Sequence, residues 1–158
     1  MGVVGGCFYV RGSTGIVFAG LMPFGVVVGR ILAVTTRTVV PVGLWALRVA
    51  GIMFLAAVLA QAVFAGLFVT GEVEFLDMHA VNANVIVFAV VLWIVASLVV
   101  RAPRRVVVGG VVALAVSVAQ VGVGFARILP LHIPIGVAMF AMGVRLVQLA
   151  FSYHGERE

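Results

Sequence analysis

Lysine is absent from this chain of 158 residues, cysteine occurs once, and aspartate and glutamate together number five. Each shortage excludes something. A single thiol, Cys7, rules out an intrachain disulfide and any cysteine-based zinc or iron–sulfur site. With only 9% charged residues against 65% hydrophobic ones, the chain cannot cover the surface of a soluble domain. Without lysine, arginine carries all the positive charge behind a formal net charge of +5. Those arginines are scattered at the ends of apolar runs rather than gathered in a stripe. Such placement is a topology signal and excludes a nucleic-acid partner.

What remains is length and hydrophobicity, with a strongly positive mean hydropathy. Four nearly charge-free runs stand out: about Val49 to Thr70, His79 to Val100, about Val106 to Ala126, and His132 to about Tyr153. About 20 residues of helix cross a bilayer core. The connections GEVEFLDM, RAPRR and RILPL are short, so consecutive helices must be antiparallel neighbours. The expected fold class is an all-α integral membrane protein, an up-down-up-down four-helix bundle. The expected transmembrane domain is 41–158, after a poorly patterned segment 1–40. Within that segment, residues 12–29 are uncharged but glycine-rich and broken by Pro23. They read as a fifth, marginal span, as an uncleaved signal-like segment, or as sequence upstream of the natural start, since VTTRTVVPVG reads as a beginning if a GTG codon initiates at Val34.

Arg101, Arg104 and Arg105 crowd the second connection, while Glu72, Glu74 and Asp77 occupy the first. The positive-inside rule then puts the RAPRR loop and both ends of the four-helix domain in the cytoplasm of a multi-pass cell-membrane protein, whose first partner is the bilayer itself.

Against this apolar background two histidines stand out. The same 22-residue interval separates His79 from Arg101 and His132 from His154, about 33 Å of helix. Both imidazoles are therefore expected at one depth, near the outer face. The runs around them repeat: AQAVFAG, a turn and HAVNANVIVF, then AQVGVGF, a turn and HIPIGVAMF. The bundle thus reads as two similar helical hairpins. Each has a glutamine (Gln61, Gln120), small residues after it (Ala65 and Gly66; Gly122 and Gly124), and a small residue four positions past the histidine (Ala83, Gly136). Positions i and i+4 share a helix face, so Ala83 and Gly136 would leave room for a flat ring beside its ligand. Small residues also serve close helix packing, and glutamine and asparagine glue helices together. Gln61 and Gln120 would bond each other or a macrocycle, and Asn82 and Asn84 would bond across helices, or Asn82 would face the haem edge. Two neutral imidazoles aimed at a common axis are axial ligands for a haem iron. Arg127 would face the haem propionates, and Arg145, within the fourth span, would snorkel to the cytoplasmic interface.

AGLFVTG before the first outer loop, His79, AQVGVG in the third run and His132 together resemble one half of haem A synthase, over about Gly51 to Phe151. The resemblance implies a four-helix half that holds a b-type haem between histidines on its second and fourth helices, a logic shared with membrane cytochromes b. The family's glutamate one turn before its second-helix histidine is Leu76 here, its outer cysteine pair is absent, and there is one half rather than two. The resemblance therefore implies haem b bound by His79 and His132 and implies no reaction; Ala83, Gly136 and Arg127 are expected around it from their placement alone. Electron transfer or haem metabolism is the expected role, with a redox partner or a second copy of the chain. The competing expectation is a cofactor-free accessory or assembly subunit. A small transporter ranks below both, because the runs lack paired acids and broken helices.

Overall fold

The computed structural model describes residues 2–4, 7–9 and 24–154, with side chains described from residue 40 onward. Gly2–Val4 (β1) pairs antiparallel with Cys7–Tyr9 (β2). Four helices follow: α1, Phe24–Val69; α2, Phe75–Val99; α3, Arg104–Phe125; and α4, Leu129–Ser152. By internal contacts the chain divides into Met1–Arg37 and Thr38–Glu158. The expectations for residues 12–23 fall outside the described residues.

All four helices are long and apolar enough to cross a membrane, over Val40–Val69, Phe75–Val99, Arg104–Phe125 and Leu129–Ser152. Large apolar side chains point outward along all of them, from Ile52 and Val63 to Phe88, Val118, Phe125 and Val137. Water would penalise that surface and lipid would not. The protein is a multi-pass membrane protein in contact with the bilayer.

The boundaries differ from the sequence reading in an instructive way. Neither histidine opens its helix: α2 begins at Phe75 and α4 at Leu129. Asp77 belongs to the first turn of α2, where a carboxylate favours the positive end of the helix dipole. Pro130 sits in the first turn of α4, where its missing N–H costs nothing. The first apolar run likewise starts earlier than Val49, and α1 continues through Pro41. Arg48 therefore lies within a span and not ahead of it.

Three helix ends share one device. At the end of α1 the N–H of Glu72 bonds the carbonyl of Leu67, at α2 that of Ala102 bonds Ser97, and at α3 that of Ile128 bonds Val123. These are the six-to-one bonds of Schellman caps, which need a left-handed residue just before. Gly71 fills that place after α1, but arginines fill it after α2 and α3: Arg101 at φ 50° and Arg127 at φ 57°.

Close contacts fix the helix directions. A Cβ on Gly43 would strike Val100, and Asn82 reaches back to Ala57, so α1 and α2 are antiparallel. Gly110 lies against the Trp93 ring, whose Nε1 donates to the Val106 carbonyl at 3.0 Å. Gly109 faces Leu146 while Gly124 faces His132, and Gly143 and Gly51 press α4 onto α1 at Leu55 and Val147. The core these contacts enclose contains Leu47, Phe54, Val90, Trp93, Val106, Ala113 and Leu146. It extends along α2 no further than Ile86 and along α4 no further than Met139. None of residues 59–85 or 118–138 is buried.

Candidate functional site

A layer of five polar residues occupies the end where the core stops: Gln61, His79, Asn82, Gln120 and His132, all half-buried. Each helix contributes at least one, because the repeat puts glutamine in the odd helices and histidine in the even ones. The His79 and His132 rings face each other with centroids 6.1 Å apart and planes inclined by 45°. The level histidines expected from equal spacing are thus brought together across the bundle.

The surroundings of each ring differ. The Nδ1–H of His79 donates to the carbonyl oxygen of Gln61 at 3.2 Å. A carbonyl oxygen only accepts, so the proton of the neutral ring sits on Nδ1 and Nε2 keeps its lone pair. That is the tautomer in which a metal-binding histidine is oriented by a backbone oxygen. His132 is held differently. Its backbone carbonyl accepts from the Gln120 Nε2 at 2.7 Å, and its ring lies against Gly124, whose missing side chain makes the space. Its Nδ1 is buried and has no hydrogen-bond partner, and neither has the Gln120 Oε1. Two orphaned polar atoms beside facing imidazoles are an unsettled account at the centre of the layer, since buried polar atoms ordinarily find partners.

The glutamines do not bond each other. Gln61 instead accepts from Asn82, whose Nδ2 lies 2.7 Å from its Oε1 and 2.8 Å from the Ala57 carbonyl. Asn82 therefore ties α2 to α1, as expected, while Asn84 is exposed and bonds only within its own helix. The space beside Gly136 holds the amide of Gln120, with Nε2 3.3 Å from where a Cβ would stand. Ala83 is half-buried. Of the other small residues, Gly66 and Gly122 face open space, and Gly124 is the one that backs a histidine. Arg127 is exposed at the end of α3 nearest His132. Arg145 is exposed as well, and its Nη1 reaches toward the Gln148 Oε1 at 3.5 Å, in the direction of the RAPRR end.

Among the described residues no three histidine, cysteine, aspartate or glutamate side chains converge. A bare zinc ion, which takes four protein donors or three and water, finds only two here. A metal that brings its own equatorial donors needs no more than two. Imidazoles sharing one metal at about 2.0–2.1 Å per bond set their ring centres about 6 Å apart, close to the observed separation. The pair therefore suits an axially ligated macrocycle in donor type, number and ring-centre separation, and His79 does so in tautomer as well.

No family model, curated protein or solved structure matches this chain.

Proposed function

We propose that this protein is a membrane cytochrome of the b type, with haem held between His79 and His132. The observation that carries the reading is the facing pair of imidazoles, 6.1 Å apart, where the apolar core gives way to a polar layer. In this reading the helices form an up-down-up-down bundle of two similar hairpins. The arginine-rich loop and both ends of the four-helix domain lie in the cytoplasm, and the haem lies near the outer face. Two axial imidazoles make a six-coordinate iron, which favours electron transfer over oxygen binding. The chain's own residues do the rest. Gln61 fixes the His79 tautomer, and Gln120 and Gly124 set the position of His132. Arg127 offers a cation to the propionates. A membrane redox partner or a second copy of the chain would exchange the electron, in electron transfer or in haem metabolism.

The test is an optical spectrum of the purified protein before and after dithionite. A sharp reduced-minus-oxidised difference that disappears in His79→Ala and in His132→Ala is the expected result. A folded, colourless preparation from haem-replete cells would end the proposal and leave the cofactor-free accessory subunit in its place.

A further inference from the structure

The opposite end of the bundle presents a cation with no counter-ion among the described residues. Arg48 is half-buried on α1, with its Nε buried and without a hydrogen-bond partner. Its Cζ lies 5.4 Å from the Trp45 ring centre on the same helix and 5.3 Å from the Phe151 ring centre on α4. Two aromatic faces attract a guanidinium but accept none of its hydrogen bonds. Among the described residues no carboxylate compensates it. The described carboxylates, Glu72, Glu74 and Asp77, sit at the histidine end, and the cations Arg101, Arg104 and Arg105 share the end where Arg48 lies. A half-buried charge in that setting calls for an anion.

The location says what kind of anion. Gly43 packs on Val100, so Arg48, five residues further along α1, lies about 7.5 Å inside the end of α2. Side chains on a helix lean toward its N-terminus, which aims this guanidinium toward Trp45 and the RAPRR end. Trp45 and Phe151 are 62% and 47% exposed, so the crevice opens sideways onto the apolar, lipid-facing surface rather than into the bundle. An occupant must bring a negative group to the depth of the interface together with an apolar body. We propose that Arg48, between Trp45 and Phe151, is the anchoring contact for the phosphate of an anionic phospholipid on the α1–α4 face. This site is independent of the haem reading.

Trp45 reports on it directly, because the other tryptophan, Trp93, is fully buried and hydrogen-bonded in the core. The full chain is reconstituted in vesicles containing brominated phosphatidylglycerol or brominated phosphatidylcholine, and the quenching lost in Trp45→Phe is taken as the signal of this site. The expected preference for phosphatidylglycerol is about fivefold, the size expected for one basic residue at an anionic surface. It should vanish in Arg48→Gln and persist in Arg145→Gln, whose exposed arginine is not part of the crevice. No headgroup preference, or a preference that survives Arg48→Gln or falls equally in Arg145→Gln, overturns the proposal. Wild-type protein in brominated phosphatidylcholine provides a second measurement that needs no folded Arg48 variant. Added plain phosphatidylglycerol should relieve the quenching of Trp45, and inorganic phosphate should not. The reverse result, or relief by neither, overturns the lipid assignment.

Discussion

The hydroxyl of Tyr153 donates to the carbonyl oxygen of Val100 at 3.0 Å, across the same 53-residue separation that relates His132 to His79. The parallel helices α2 and α4 are thus in register at both ends, through a hydrogen bond at one and facing imidazoles at the other. Val100 caps α2, so its carbonyl is one of the end groups that no helical N–H satisfies. Tyr153→Phe removes the donor and leaves the ring. Thermal unfolding in detergent should show a loss of about 0.5–1.5 kcal/mol. An unchanged midpoint would mean that the far-end register does not depend on this bond.

Asn82 and Asn84 look equivalent in sequence and are not equivalent in structure. Asn82 crosses to α1 through two short bonds, whereas Asn84 bonds only Ala80 and Val81 in its own helix. Asn82→Ala should cost about 0.6–1.7 kcal/mol, the usual range for a polar contact between membrane helices. Asn84→Ala should be close to neutral in the same unfolding assay. Equal losses for the two would contradict the assignment of Asn82 as the α1–α2 tie.

Gly124 and Gly122 separate a positioning role from general packing. A Cβ on Gly124 would stand 3.0 Å from the Cε1 and 3.2 Å from the Nδ1 of His132, while one on Gly122 meets nothing within 4 Å. Gly124→Ala should push the imidazole aside and reduce haem occupancy at least several-fold, with the difference spectrum broadened. Gly122→Ala should leave the spectrum as it is. A Gly124→Ala protein with wild-type absorbance would show that the His132 ring does not depend on this wall.

How much of this was legible in the sequence depends on how far apart the cooperating residues lie. The four spans follow from unbroken hydrophobic length, and the level histidines follow from equal spacing within helices of constant rise. The helix starts were less legible. Asp77 and Pro130 look like loop residues, yet they are the residues that a first turn favours. The partners of the glutamines were not legible either. Spacing puts Gln61 and Gln120 at one level but does not say that Asn82 takes the first and the His132 carbonyl takes the second. Arg48 reads in sequence as a charge flanking a span. The nearby Trp45 is visible one turn away, but Phe151 comes from the far end of the chain, and only packing brings the two to one guanidinium.

In Arg127 the backbone and the side chain pull in opposite directions. Its φ of 57° lies in the left-handed region, where a side chain costs about 1–2 kcal/mol relative to glycine. The equivalent cap after α1 uses Gly71 at φ 113°. Arg127→Gly should therefore stabilise the cofactor-free protein, read as a higher unfolding midpoint. If the guanidinium serves the haem propionates, the same substitution should weaken haem retention against apomyoglobin as the acceptor, and Arg127→Lys should preserve part of it. Stabilisation with no change in haem transfer would remove Arg127 from the site and leave it a topology charge like Arg101, which occupies the matching cap after α2.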